Sequence, residues 1–356
     1  MHIVDILKEA LQRQASDIII SAGAPVTYHV FGRLEWQDSD KILSAKDSQL
    51  LVYEILNSDQ RMKFELENEL DMSFHIEDIC RFRVNVYRQR SSVAAVLRLV
   101  PFSVPNYVEL GISERLLIQM TNTPNGLILI TGPTGAGKSS TVASFLEYLN
   151  TEGEESKHII TIEDPIEFML SSKTCVIDQR ELGADTSSYA RGLRSALRQM
   201  PHIIFVGEMR DRETMEIALT AAETGNLVIS TLSTQSSTKT INRIIDVFPN
   251  DDQAEIRGRL ALTLRMVVSQ VLLRRQDQEG RIAAREILIV NSPISNLIRE
   301  GKIHQLTNII AGSYSEGMIL LDSSLLELYN EGIVSPSEIL PRLEDPEKMR
   351  LIMGKY

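Results

Sequence analysis

The sequence predicts an α/β fold preceded by a smaller α+β domain, and two observations carry this prediction. From about residue 112 onward, short apolar runs alternate with stretches of helical periodicity, which is typical of a parallel sheet covered by helices on both faces. Residues 1–100 instead group several short strands with two helical stretches. The segment PFSVPN carries two prolines between these regions. We therefore expect domains at 1–100 and 112–356, joined by a linker at 101–111.

The elements of the first domain follow from periodicity and from chain breakers. MHIVDILKEALQRQ has the pattern of an amphipathic helix, and β-branched residues recur in short runs farther along. In chain order we predict that helix, strands at 17–21 and 26–36 with a turn at Gly32-Arg33, a helical stretch at 45–66, and strands at 81–90 and 92–100. Alternation in the strand RFRVNVYRQR places Arg81 and Arg83 on one face and its apolar residues on the other.

The second domain is predicted to contain buried strands with helices between them, followed by a mostly helical part. The expected strands are 126–131, 158–162, 202–206 and 226–231. Past residue 253 the pattern becomes helical. There we expect helices at 253–274, 294–311 and 319–331, with one strand near 285–290.

A glycine-rich segment after the first of these strands is the most specific motif in the chain. GPTGAGKS, residues 132–139, fits the pattern G-x-x-x-x-G-K-[ST] without a gap, and a helix is predicted to begin at Lys138. Glycines at this spacing let backbone N–H groups face phosphates, while the lysine reaches the β- and γ-phosphates and the hydroxyl ligates Mg²⁺. We predict a nucleoside triphosphate site, with Ser139 as the metal ligand. Its predicted residues are Thr134, Gly135, Ala136, Gly137, Lys138, Ser139 and Ser140.

Two carboxylates near the ends of predicted strands are the candidate catalytic residues. Ligands of open parallel sheets bind beyond the carboxyl ends of the strands, and Glu163 and Glu208 follow two such ends in TIEDPIE and FVGEMRD. A carboxylate there can orient and deprotonate the attacking water or hold Mg²⁺ through its water shell. We predict Glu208 as the base, with Glu163 assisting at the metal and the water. The alternative is that such acids cap helices, as Glu167 and Asp211 could.

Arginines form a second candidate constellation. Arg191, Arg194 and Arg198 are spaced as a stripe along a predicted helix, in addition to Arg81 and Arg83 on their strand. Arginine makes forked contacts to phosphates and to transition-state charge. A solvated basic face is the competing interpretation of both sets. The six histidines show no metal-ligand spacing, and we interpret them as structural or surface residues.

Composition argues against several classes of function. The net charge of −11 disfavours partners bound mainly through electrostatics, such as duplex DNA or an anionic membrane. Cys80 and Cys175 are too few for a disulfide framework or an all-cysteine zinc site. No apolar run approaches the ~20 residues that span a bilayer, and the opening helix is not a signal peptide. We expect a cytoplasmic protein with no transmembrane segment.

Motifs along nearly the whole chain resemble the type IV pilus retraction ATPases, the PilT/PilU-like family of the secretion-ATPase superfamily. The matching segments are the opening motif ASDIIISAGAP, the arginine segment RFRVNVYRQR with AAVLRLVP, TGPTGAGKSST as Walker A, TIEDPIEF as the acidic box, RSALRQMPHIIFVGEMRDRET around Walker B, AAETGNLVISTLST as the histidine box, and SNLIREGK. Together these segments are far more specific than the phosphate-binding motif alone.

The resemblance implies a homo-hexameric ATPase whose subunits have a PAS-like N-terminal domain and a RecA-like ATPase domain. ATP with Mg²⁺ would lie between the domains, with Glu208 as the catalytic glutamate and Arg83, Arg81 and Arg98 as arginines that contact the phosphates. Members of the family that this chain resembles power pilus retraction and twitching motility through an inner-membrane platform protein. The chain would then be cytoplasmic and peripheral at the inner membrane through the pilus machine. A paralogous pilus ATPase is a further candidate partner, and no nucleic acid is implied.

Several positions depart from the family pattern, so the chain resembles a divergent member. Asn226 and Ser233 stand where the histidine box has histidines, and neither side chain can carry a positive charge. Ile19 replaces a further histidine, His202 replaces an aspartate before the Walker B strand, and Ser295 replaces an arginine. Walker A and both candidate glutamates are present, so we expect hydrolysis to persist with altered coupling or regulation.

Three alternatives to a retraction motor are considered. One is a catalytically weak or accessory PilU-like subunit that binds ATP and assists an active paralogue. Another is a type II secretion or pilus assembly ATPase, which is disfavoured because such proteins usually carry an additional N-terminal domain and a tetracysteine zinc element that this chain lacks. The third, a nucleic-acid translocase on a RecA-like core, is disfavoured by the acidic composition.

Overall fold

The computed structural model describes residues 2–30, 33–76, 80–100 and 104–353. The predicted turn at Gly32 and the start of the predicted linker, 101–103, lie outside the described residues. By its internal contacts the chain divides into two compact units, Met1–Ser103 with Glu167–Met169 and Val104–Ile166 with Leu170–Tyr356. Each unit has its own sheet and its own hydrophobic core.

The first unit is built on an antiparallel sheet. Its strands are β1 Ala15–Ile20, β2 Thr27–Val30, β3 Arg33–Trp36, β4 Glu69–Ile76, β5 Cys80–Gln89 and β6 Ser92–Val100, and its helices are α1 Ile3–Gln12, α2 Ala45–Tyr53 and α3 Ser58–Glu67. The strand order is β3-β2-β1-β6-β5-β4. Phe82, Val84 and Val86 of β5 are fully buried, while Arg83 between them is exposed, so the predicted alternation is confirmed. Apolar residues of all three helices complete this core.

The helical stretch predicted at 45–66 is two helices. Ser44 and Asn57 each begin one of them with a capping box, in which the side chain accepts a hydrogen bond from the backbone N–H three residues later. Each box satisfies two backbone donors that a helix start leaves open. Asn57 therefore starts α3 as a new helix instead of continuing α2.

The second unit is built on a sheet that is mostly parallel. Its strands are β7 Gly126–Thr131, β8 His158–Glu163, β9 Val176–Glu181, β10 Ile203–Val206, β11 Leu227–Leu232, β12 Leu264–Arg274 and β13 Arg281–Ile289. Its helices are α4 Glu114–Thr121, α5 Lys138–Glu152, α6 Tyr189–Ala196, α7 Arg212–Glu223, α8 Ser237–Asp246, α9 Gln253–Thr263, α10 Ser292–Arg299, α11 Leu306–Gly312, α12 Leu321–Asn330, α13 Pro336–Ile339 and α14 Pro346–Met353. Short 3-10 turns occur at Ile303–Gln305, Tyr314–Glu316 and Leu340–Arg342.

The strand order of this sheet is β13-β12-β7-β11-β10-β8-β9. Every neighbouring pair is parallel except β12 with β13. All residues of β7, β10 and β11 are buried, because apolar cores lie on both faces of the sheet. Leu127 and Leu129 pack into one of these cores and Ile128 and Ile130 into the other. The predicted α/β architecture is therefore confirmed for this unit.

The helix predicted over 253–274 is wrong beyond Thr263. Residues Leu264–Arg274 form β12, which pairs with β7 on one side and with β13 on the other. The segment LRMVVSQVLLR is an apolar run that suits a buried helix as well as a strand buried on both faces, so periodicity cannot separate the two. The neighbouring strands decide the outcome. Its partner β13 also begins earlier than predicted, at Arg281 instead of 285.

The structure also differs from the prediction at the helix expected over 294–311. That helix is interrupted because Gly301, which follows the end of α10, has a φ of 72°.

Strands β4 and β9 were not predicted at all. The segment VIDQRE of β9 has half of its residues charged, and it forms the edge of the sheet beside β8.

Candidate functional site

The phosphate loop, residues 132–140, connects β7 to α5 and includes the first turn of that helix. Gly132, Gly135 and Gly137 have φ values of 148°, 79° and 82°, a backbone region that side chains rarely allow. Gly137 is the N-cap of α5 and makes no side-chain cap. The first N–H groups of a helix have no partner within the helix, so this uncapped start favours an anion.

The charge of the loop also suits an anion. Lys138 begins α5, and its Nζ donates to the carbonyl oxygens of Gly132 at 2.8 Å and Pro133 at 3.1 Å. The ammonium group therefore lies against the loop backbone. Ser139 and Ser140 are half-buried in the first turn. An ammonium group, a helix N-terminus and a hydroxyl together form a donor set that fits the phosphates of a nucleotide and a Mg²⁺ ion bound to them.

Other strand ends lie on the same edge of the sheet as this loop. β11 pairs with β7 in register Leu232 to Thr131, and β10 pairs with β11 and β8 on its two sides. Glu163 is the last residue of β8, and Glu208 follows β10 by two residues. A Cβ atom added to Gly207 would stand 3.5 Å from the Cα atom of Glu163, so the two glutamates lie on adjoining backbone segments.

The Glu208 carboxylate is held between two donors. Arg210 Nε donates to its Oε2 at 2.8 Å, and Ser233 Oγ donates to its Oε1 at 3.2 Å. The pKa of Arg210 is raised above its usual value, mainly by this hydrogen bond. About a quarter of the Glu208 side chain, 24%, is exposed, so the carboxylate stays accessible to water. It does not cap a helix, since Asp211 caps α7 by accepting from the N–H of Thr214.

Glu163 is much less accessible than Glu208. It is 9% exposed and is the last residue of β8, so it is not a helix cap either. Its Oε1 accepts from Thr161 Oγ1 at 2.6 Å and from Gln179 Nε2 at 3.1 Å. The unpredicted strand β9 supplies Gln179, which also accepts from the N–H of Leu170. These contacts fix the direction of the Glu163 carboxylate.

Tyr189 lies near Glu163 and Glu208. The sequence did not predict this residue as part of the site. Tyr189 begins α6, and a Cβ added to Gly207 would lie 3.0 Å from its hydroxyl. Burial, and next the nearby Asp164 carboxylate, raise the pKa of the phenol well above its usual range. The phenol therefore remains a neutral hydrogen-bond donor near both glutamates. No motif signals it, because the contact depends on how α6 packs.

The helical arginine stripe is only partly formed. Helix α6 ends at Ala196, so Arg198 lies beyond it. Arg191 and Arg194 are exposed, and Arg194 forms an ion pair with Glu213. The interpretation as a solvated basic face fits these observations better than a role at the phosphates.

The three candidate arginines of the first unit lie on one face of its sheet. Arg81 and Arg83 lie two residues apart on β5 and therefore on the same face, and Arg98 of β6 lies directly opposite Arg83. Arg98 Nε donates to Asp17 Oδ1 at 2.7 Å. Burial raises the pKa of the Asp17 carboxyl, but the hydrogen bond from Arg98 and other partners outweigh it and hold that pKa below its usual value. Arg83 and Arg98 are both exposed.

The two residues that replace the family histidines lie at opposite ends of the central strand β11. Asn226 precedes β11, and its Nδ2 donates to the carbonyl of Pro201 at 2.7 Å. Ser233 follows β11 and reaches Glu208. Asn226 is thus a structural residue at the amino end of β11, away from the phosphate loop. Ser233, at the carboxyl end, contacts a candidate catalytic residue.

In the ranges 2–30, 33–76, 80–100 and 104–353, no helix is long and apolar enough to cross a membrane. The same described residues contain no group of three or more histidine, cysteine or acidic side chains that could hold a metal ion by themselves.

Comparison with known proteins gives consistent matches over the whole chain. The family model of the type II/IV secretion system proteins matches residues 1–309. The type IV pilus retractation ATPase PilT of Pseudomonas aeruginosa is 44% identical over 347 residues, covering 98% of this chain and 99% of that protein. The type IV pilus ATPase PilU of the same organism is 34% identical over 354 residues, covering 99% and 91%. A crystal structure of the pilus retraction motor PilT with bound ADP superposes with a TM-score of 0.91 at 41% identity, covering 99% of both chains.

Proposed function

This chain belongs to the type II/IV secretion system protein family, and from that membership we propose that it is a motor ATPase that hydrolyses ATP to power type IV pilus retraction. The observation that carries the proposal is the 44% identity to a pilus retraction ATPase over 98% of the chain. The phosphate loop supports it, because its glycine conformations, lysine and uncapped helix start suit a nucleotide.

In this proposal the phosphate loop binds the triphosphate. Its residues 134–140 cradle the β- and γ-phosphates, with Lys138 offsetting their charge. Ser139 would hold Mg²⁺, which supplies charge neutralisation at the phosphates when bound. Glu208 orients the attacking water and accepts its proton, and the donors Arg210 and Ser233 keep its carboxylate in place. Glu163 assists from the adjoining strand, held by Thr161 and Gln179.

The domain roles extend the same proposal. We infer that residues 112–356 form a RecA-like ATPase domain and that residues 1–100 form a PAS-like domain, with residues 101–111 as the linker. Arg83, Arg81 and Arg98 would contact the phosphates of the nucleotide. The exposure of Arg83 and Arg98 supports this role, since both guanidinium groups can reach a ligand.

The proposed assembly is a homo-hexameric ring. Its partner would be the inner-membrane platform protein of the pilus, which would hold an otherwise cytoplasmic motor at the membrane. Light scattering of the purified protein with Mg·ATP should give a mass about six times the 40.0 kDa of one chain. A monomer at every concentration that supports hydrolysis would contradict the ring.

The chemistry is tested by ATP hydrolysis of the purified protein. Lys138→Ala and Glu208→Gln should each lower kcat by at least roughly 10²-fold, because one removes phosphate binding and the other the base. Glu213→Gln is the matched control, since Glu213 is an exposed carboxylate paired only with Arg194 among its described ion pairs. Equal rates in wild type and both site variants would exclude the motor.

The biological role is tested in cells. Deletion of the gene should abolish pilus retraction, and wild type should restore it while Glu208→Gln should not. Rescue by the Gln variant would show that hydrolysis by this chain is dispensable.

An accessory subunit is the second candidate function. The near full-length match to a PilU, at 34% identity, favours it. Such a subunit would bind ATP, turn it over negligibly alone, and raise the rate of an active paralogue in a mixed ring. Vigorous hydrolysis by the isolated protein would decide against it.

A further inference from the structure

We propose that Gln270 is a positioning residue of the nucleotide site, which fixes the phosphate loop in its binding conformation before nucleotide arrives. The inference rests on the proposed function only in taking nucleotide as the ligand of the loop. Gln270 lies in β12, the strand that the sequence analysis assigned to a helix, so no motif drew attention to it.

The side chain of Gln270 joins the loop to its helix. Its Nε2 donates to the carbonyl oxygen of Ala136 at 2.6 Å, and its Oε1 accepts from Thr141 Oγ1 at 3.0 Å. Gln270 and Thr141 are 1% and 3% exposed, so water does not compete for either bond. Ala136 lies in the middle of the loop and Thr141 in the first turns of α5. One buried amide therefore sets the loop against the helix that starts from it.

The backbone carbonyl and the side-chain amide of Gln270 also limit the space behind the two ends of the loop. A Cβ on Gly132 would lie 2.3 Å from the carbonyl oxygen of Gln270, and a Cβ on Gly137 would lie 3.4 Å from its Nε2. Both ends of the glycine-rich segment thus approach the same residue. The loop is supported at its start, middle and end from one position on β12.

These contacts leave the ligand side of the loop unchanged. Gln270 accepts from a side chain and donates to a carbonyl, so it uses none of the loop N–H groups that would face phosphates. Its effect is to restrict the conformations of the loop, which lowers the entropy lost on binding. Such a residue should act on nucleotide affinity in both ground and transition states, and so on KM more than on kcat.

The test compares Gln270→Leu with wild type. Leucine fills a similar volume without either hydrogen bond. We expect the Kd for Mg·ADP and the KM for ATP each to rise roughly tenfold, with kcat within about threefold. Without nucleotide, amide hydrogen exchange in residues 132–140 should be about tenfold faster. Thr141→Val removes only one of the two bonds and should give a smaller rise, about threefold, and it serves if the Leu variant fails to fold.

Asn150→Leu is the matched control. Asn150 is a fully buried amide near the other end of α5, where it bonds the backbone of Ser171, Lys173 and Cys175. It should destabilise the protein without changing loop exchange, Kd or KM by more than about twofold. Loop exchange and Kd that are the same in Gln270→Leu and in this control would overturn the proposal. Absence of hydrolysis in wild type would refute the proposed function alone, since the exchange measurement still decides the role of Gln270.

Discussion

At Gly132 the chain has no room for a side chain. A Cβ there would lie 2.3 Å from the carbonyl oxygen of Gln270 and 2.9 Å from the Cβ of Ala136, at a φ of 148°. Gly132→Ala should therefore lower the free energy of unfolding by about 3 kcal/mol, from the clash and the strained backbone together. Urea denaturation measures this loss.

Gly135→Ala separates the two causes. Gly135 has a φ of 79° but nothing within 4 Å of an added Cβ. It should cost only the left-handed strain, about 1 kcal/mol. Equal losses in the two variants would mean that backbone conformation, and not the contact with Gln270, sets the requirement for glycine at position 132.

Tyr189 predicts a pH dependence of stability. Burial and the nearby carboxylates raise its pKa in the folded protein above the usual value of 10.0. Its contribution to stability is complete below pH 10 and is lost as the pH rises beyond it, because the unfolded phenol ionises first. Above pH 10 the free energy of unfolding of wild type should fall more steeply than that of Tyr189→Phe, by up to about 1.4 kcal/mol per pH unit.

The comparison with Tyr189→Phe is made by urea denaturation at several pH values between 8 and 11, a range within about one to two units of the phenol's reference pKa. Parallel curves for the two proteins would show that Tyr189 ionises in the folded state as readily as in the unfolded state. The slope that remains in the Phe variant reports the other tyrosines, among which Tyr28 also has a raised pKa caused by burial.

Residues of the candidate site differ in whether a short stretch of sequence is enough to identify them. Gly137 and Lys138 follow from spacing in one short motif, and Glu208 from its place after an apolar run. Tyr189 and Gln270 could not be predicted in this way. Their roles depend on contacts across 18 and 134 positions of sequence, from Tyr189 to Gly207 and from Gln270 to Ala136.

At the scale of elements, the start of α7 depends on its N-cap residue, Asp211. Asp211 accepts from the N–H of Thr214 at 2.9 Å and from its hydroxyl at 2.8 Å. Asp211→Ala should lower the free energy of unfolding by about 1 kcal/mol, since a backbone donor at the helix start loses its acceptor. Asp211→Asn keeps an acceptor and should cost less. If thermal or urea unfolding shows equal losses for Ala and Asn, the cap contributes through charge alone.

The elements also show where sequence reasoning reaches its limit. The strands β7, β8, β10 and β11 were predicted because each apolar run is short and bounded by polar or glycine residues. β12 follows α9 without any such break, so the change from helix to strand at Leu264 left no local signal. Its pairing with β7 and β13 is a long-range property that one sequence does not display.

At the scale of the whole molecule, we propose that Arg83 contacts the phosphates of the nucleotide. Arg83→Ala should lower kcat for ATP hydrolysis by roughly 10²-fold, because a guanidinium that contacts the phosphates stabilises transition-state charge. Arg33→Ala is the control, since Arg33 is an exposed arginine on the edge strand β3. A rate unchanged in Arg83→Ala would remove this arginine from the site and leave Arg81 and Arg98 as candidates.

The order of strands could not have been predicted from the alternation of elements. The chain order of the parallel strands is β7, β8, β9, β10, β11 and β12, but β7 lies between β11 and β12 in the sheet. The expectation that Glu163 and Glu208 share an edge with the phosphate loop needed only that the strands be parallel. It did not need their order, which explains why the shared location of these strand ends was easier to predict than the topology.

Strand β12 also has a mechanical consequence. Three residues after Gln270, Leu273 is fully buried in a cluster with Leu325 of α12, Ile339 of α13 and Val334 between those two helices. A single continuous strand thus runs from the phosphate loop to the cluster that packs α12 and α13. A displacement of those two helices would act on the loop through about 10 Å of extended chain.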